Sequence, residues 1–147
     1  MLARDFSEVG KNYRRWGAEG NREGEFSYPA RICAFRDNTK EEKVAVADSC
    51  NNRIQILSAK GDFELQLGKK GRDNGQFLSP TAVAVSAHHD CIAVVDNGNH
   101  RVQCFNKYGK VTTSSMVGTK GNGVGELSNP TSACWIGADG RELLVVR

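Results

Sequence analysis

With 147 residues, 39% hydrophobic and 25% charged, the chain has the composition of one folded globular unit and not of a disordered segment. Its formal net charge of +3 is too small to imply a nucleic-acid partner by itself, and no apolar run approaches the roughly 18 residues that a membrane-crossing helix needs. Met1-Leu2-Ala3-Arg4-Asp5 lacks the apolar run of a signal peptide and no N-x-S/T sequon occurs, so a cytoplasmic location and no membrane association are expected.

The chain opens on residues 1–17, a lead-in that can hold the last strand of a preceding unit. From Gly17 onward a repeat becomes visible. Gly17, Gly68 and Gly118 each begin the same pattern, continued by Gly20, Gly71 and Gly121, then by Gly24, Gly75 and Gly125. Phe26, Phe77 and Leu127 follow, and Pro29, Pro80 and Pro130 close it. The pattern is G-x-x-G-x-x-x-G-x-[FL]-x-x-P, without insertion in any copy. Such periodicity takes priority in reading a fold.

The first full copy, residues 18–68, carries four β-type runs: Ala30–Phe35, Lys43–Asp48, Arg53–Ala59 and Phe63–Leu67. The second, residues 69–118, repeats them as Thr81–Ser86, Cys91–Asp96, Arg101–Asn106 and Lys110–Val117. Each is rich in Val, Ile, Thr or Phe and is bounded by Gly, Asn, Asp or Pro, which suits short strands and excludes helices. The polar stretch 38–42 reads as a longer surface turn in the first copy. Lys107-Tyr108-Gly109 reads as a tight hairpin turn. The first two runs of a copy are apolar almost throughout, as in strands buried on both faces. Small residues recur four positions after each proline (Cys33, Ala84, Cys134), and Cys33 and Cys134 are expected as core fillers. The third copy, residues 119–147, stops where its acidic motif would begin.

Four short antiparallel strands per copy, at a period near 50, predict an all-β architecture of four-stranded propeller blades. Downstream of the Gly-rich pattern, Asp48-Ser49-Cys50-Asn51-Asn52-Arg53-Ile54-Gln55 is matched by Asp96-Asn97-Gly98-Asn99-His100-Arg101-Val102-Gln103. This D-x-x-N-x-R-[IV]-x core resembles the NHL repeat, and the Gly-rich pattern resembles the inter-blade segment of that family. The style is closest to the C-terminal propellers of TRIM-NHL (tripartite motif) ubiquitin ligases. The resemblance covers roughly residues 12–147 and implies an arc of about two and a half blades from a ring of six. The remaining blades are then missing from this chain, and the two sheet faces left uncovered make it marginal or aggregation-prone alone.

What the resemblance implies for function is an interaction module that recruits the substrate of a ubiquitin ligase. No RING, B-box or coiled coil occurs in these residues, so ligase chemistry is not expected in them. An alternative is a propeller binding single-stranded RNA; a third, an NHL-type amidating lyase, requires histidines converging on the axis. Asp48, Asn51, Arg53, Asp96, Asn99 and Arg101 recur in both copies and are read as structural. Partner contacts are expected where copies differ: Asn52 against His100, and Lys69, Lys70 and Arg72 in the loop entering the second blade. Aromatic platforms for stacking bases are not evident in those loops.

Other constellations read as architectural. Gly68–Gly75 lacks the Lys-Ser/Thr ending of a P-loop. His88-His89-Asp90-Cys91 reads as a hairpin turn and not as a metal site. The five cysteines are odd in number and none are spaced C-x-x-C, which suggests free thiols. No metal, cofactor or catalytic residue is expected.

Overall fold

The computed structural model describes residues 2–4, 13–88, 90–138 and 141–147. Among them the regular structure is β, with a single turn of 3-10 helix at Asn97–Asn99. A two-stranded pair comes first, β1 (Leu2–Arg4) and β2 (Tyr13–Arg15). The lead-in thus carries two paired strands where the sequence suggested one. The next sheet has the order β3 (Pro29–Arg36), β4 (Glu42–Asp48), β5 (Arg53–Ser58), β6 (Phe63–Leu67). The following one has β7 (Pro80–Val85), β8 (Ile92–Asp96), β9 (Arg101–Phe105), β10 (Val111–Val117) in the same order. A final pair, β11 (Ala133–Ala138) and β12 (Arg141–Val146), corresponds to the first two strands of a third copy.

Every pairing within a sheet is antiparallel between consecutive strands, which is the meander of a propeller blade. Turn chemistry sets the hairpins. Gly109 takes a φ of 84°, and Asn106 Oδ1 accepts the amides of Tyr108 and Lys110 at 3.1 and 2.9 Å. Asp37 does the same work in the polar stretch before β4, accepting from the amides of Thr39 and Glu41. His88 lies in the turn closed by the Ser86 amide on the Cys91 carbonyl; His89 lies outside the described residues.

Successive side chains along a strand face opposite sides, so each full blade presents two apolar faces. Ala45, Ala47, Ile54, Ile56 and Leu67 of the first blade pack against Phe77, Val83, Ile92, Val94 and Phe105. Val46 and Leu57, on the other face, pack with Phe26. Ala82, Ala93, Val95 and Val102 of the second blade meet Trp135 and Leu144 of the third copy.

The double burial expected of the first two strands holds for β7 and β8 but not for β3. Ile32 is 50% exposed because no described sheet covers its side of β3. Cys33 does pack against the inter-blade core. Cys134 does not fill a core as the repeat suggested: it is exposed, on the side of β11 opposite Trp135, where Ile136 is exposed as well.

A candidate partner-binding rim

The Gly-rich pattern forms the same loop three times. The amides of Phe26, Phe77 and Leu127 donate to the carbonyls of Ala18, Lys69 and Thr119 at 2.9, 2.8 and 2.8 Å. Those of Gly20, Gly71 and Gly121 donate back to the carbonyls of Phe26, Phe77 and Leu127. The opening glycine is required twice over. Gly68 has a φ of 75°, and a Cβ there would run into the ring of Phe77, which is fully buried beneath it.

The repeated polar residues fasten each loop to its blade. Asp48 is fully buried; its Oδ1 accepts the Ser27 amide at 2.7 Å, and its Oδ2 accepts Arg53 Nε at 2.8 Å and Asn51 Nδ2 at 2.9 Å. Arg53 Nη2 then reaches the carbonyls of Arg22 and Glu25 at 2.7 and 2.9 Å, and Asn51 donates to the Gly20 carbonyl. The second blade repeats the set: Leu78 amide on Asp96, Arg101 Nε on Asp96 at 2.8 Å, Arg101 Nη2 on the Asp73 and Gln76 carbonyls, Asn99 on the Gly71 carbonyl. Both blades therefore use four side chains, not three. Gln55 spans the loop by accepting the Gly24 amide and donating to the Glu25 carbonyl; Gln103 does so with Gly75 and Gln76. The sequence held the signal, since Gln55 and Gln103 sit at matching positions; only a buried polar side chain on a strand gives it meaning.

Asn52 and His100, expected as contacts because they differ, occupy one structural position. Both are left-handed, with φ of 55° and 56°. Asn52 Oδ1 accepts the amide of Ser79 at 3.0 Å, and His100 Nδ1 accepts the amide of Asn129 at 3.1 Å. Ser79 and Asn129 belong to the loop of the following copy, so each side chain staples one blade to the next. Asn97 adds a second bond across the same joint, to the Pro130 carbonyl at 3.0 Å. Copy-to-copy difference at this position thus conceals a shared task.

These bonds order the loops and turns along one rim. The first loop is tied to the turn 48–53 by Asn51, that turn to the second loop by Asn52, the second loop to the turn 96–101 by Asn99, and that turn to the third loop by His100. Lys69, Lys70 and Arg72 are exposed on the second loop, between the two turns. Sequence comparison missed Tyr28. It stands at the end of the first loop, 80% exposed, where the other copies have Ser79 and Asn129. It borders an open depression of about 280 Å³ shared with Arg15, Glu19 and Pro29.

Residues 77–105, which contain the whole Asp96–Gln103 clamp, match the NHL repeat family model. The chain thus carries an NHL repeat, in four-stranded antiparallel sheets that are consistent with part of a β-propeller. It is 34% identical over 97 residues to Protein brain tumor of Drosophila melanogaster, across 65% of this chain and 9% of that protein. It is 41% identical over 59 residues to B-box type zinc finger protein ncl-1 of Caenorhabditis elegans, across 40% of this chain and 7% of that one. Both are TRIM-NHL proteins. A likeness of 39% over 67 residues joins it to peptidylglycine alpha-amidating monooxygenase of Rattus norvegicus, across 42% of this chain and 7% of the enzyme. The chain therefore spans less than a tenth of the length of each of these relatives.

Proposed function

We propose that these blades are the non-catalytic, protein-binding part of a larger TRIM-NHL-like polypeptide, in which they select the protein to be ubiquitinated. One observation carries the reading. The repeated polar side chains are turned inward to clamp the loops, while side chains that differ between copies stand on the rim those loops build. A rigid scaffold presenting variable side chains is the physical form of a recognition surface. The likeness to a relative whose name records a B-box supports the parent's class. The five free thiols suit the cytoplasm.

In vitro ubiquitin transfer tests this with the full-length polypeptide and a version lacking residues 18–147. Self-modification is expected to persist while modification of proteins found by proximity labelling disappears. Undiminished transfer to those proteins would sink the reading. The second reading, binding of single-stranded RNA, draws support from Lys69, Lys70 and Arg72, and fails if the intact propeller retains no RNA on a filter at low salt. We take the likeness to the amidating enzyme as that of a shared blade frame; stoichiometric metal in purified protein would argue for that chemistry instead.

A further inference from the structure

We infer that the second loop, through Lys69, Lys70 and Arg72, receives a short extended acidic segment of a protein partner. This rests on the reading of the rim as protein-binding and adds the chemistry of what binds.

Three observations converge on it. The ion pairs among the described residues engage Arg36, Lys43, Arg53 and Arg101. No carboxylate in them is held by Lys69, Lys70 or Arg72, which stand exposed. The backbone beneath these cations is also fixed beforehand, by Asn99, Arg101 and Gln103 on the Gly71, Asp73, Gly75 and Gln76 main chain. A partner need not spend binding energy ordering it.

The third observation is how narrow the positive field is. The second loop sets three cations against one exposed carboxylate, Asp73, whereas the first carries Glu19, Glu23 and Glu25 against Arg22 alone and the third carries Lys120 with Glu126. The basic stretch is one blade wide and has carboxylates on the adjoining loop. A nucleic-acid strand continuing along the rim would bring its phosphates onto those carboxylates. Stacking on the second loop is closed to it, because the ring there, Phe77, is fully buried. A peptide with two or three carboxylates can place its charges on one loop and end there.

The test is fluorescence anisotropy on the 147-residue chain, checked for its β-sheet circular dichroism. Three labelled probes serve: a Glu-Ser repeat decapeptide, its Lys-Ser counterpart and a ten-nucleotide oligouridylate. The Glu-Ser peptide is expected to bind and to weaken as salt rises. The K69E/K70E/R72E variant should bind it about tenfold or more weakly, as losing up to three exposed ion pairs implies. The milder K69A/K70A variant should fall between. No binding by folded protein at low salt, or equal binding by the triple variant, overturns the inference. If proteins recruited by the parent are retained by the triple variant, the acidic-segment inference falls and the protein-binding reading stands. If the oligouridylate binds more tightly than the peptide, and the triple variant loses it, both fall.

Discussion

Two ion pairs of nearly equal length separate what burial does from what proximity does. Arg101 Nε lies 2.8 Å from Asp96 Oδ2, with side chains 8% and 0% exposed. Arg36 Nη2 lies 2.9 Å from Glu42 Oε1, with side chains 68% and 65% exposed. Arg101→Ala leaves a carboxylate that is fully buried in the parent chain, still bonded to the Leu78 amide, Asn99 and Gln103 but without its counter-charge. It also leaves the Asp73 carbonyl without its guanidinium donor. Breaking a buried pair from one side costs about 3–5 kcal/mol. Arg36→Ala should cost less than about 1 kcal/mol, because water already screens that pair.

Urea denaturation of both variants measures the difference. Arg101→Ala should bring the midpoint down sharply or prevent folding, while Arg36→Ala should leave it close to that of the parent chain. Hydrogen exchange adds a local readout. The Gly75 and Leu78 amides, held by Gln103 and Asp96, should lose protection in the first variant and keep it in the second. Equal losses of stability would refute the clamp as the source of the effect, and so would an unfolded-like midpoint with full loop protection.

The remaining predictions concern joints and thiols. His100→Asn, which installs the residue of the equivalent position 52, should retain most of the staple to Asn129, whereas His100→Ala should lower stability by about 0.5–1.5 kcal/mol; urea midpoints of the two variants decide, and identical losses would refute the shared task. Glu142 accepts hydrogen bonds from Ser86 Oγ and the Ala87 amide, and the Ser86 hydroxyl chiefly holds its carboxyl below the ordinary value of 4.5. A depressed carboxyl contributes stability above its unfolded value and loses it as pH falls through the folded one. The melting difference between parent and Glu142→Gln should therefore be full at pH 7 and shrink below about pH 4.5; a difference that does not change with pH would contradict this. Cys50 and Cys134 are exposed, while the Cys91 thiol is pushed up chiefly by its hydrogen bond with Cys104. Timed iodoacetamide labelling read by mass spectrometry should modify Cys50 and Cys134 well before Cys91.

The blade was legible in the sequence because its determinants are local. Gly68, Pro80 and the alternating apolar runs act through backbone conformation and strand burial, which leave a periodic trace. What the joint does was not legible. Asn52 and His100 look unlike, and nothing in a one-dimensional comparison shows that an amide oxygen and an imidazole nitrogen accept the same backbone proton. Cys134 misled for a related reason: its place in the repeat marks a strand position, while its burial depends on what lies against that strand. Ile32 and Val83 occupy equivalent positions, yet one is 50% exposed and the other 5%, because only β7 has sheets on both sides.

That difference bears on where specificity can arise in such a molecule. A residue that varies between copies is free only if the frame makes no demand at its position. Position 52 and position 100 fail this condition, since each holds a neighbouring loop. The condition is met by Lys69, Lys70 and Arg72, opposite Ala18, Glu19 and Asn21 in the first copy, because there the clamp grips only the main chain. The loop backbone can be identical in all copies while its side chains change without cost to the fold. On the proposed reading, a partner is met where the hydrogen bonds end on carbonyls and amides, because the side chains above them are free of the frame.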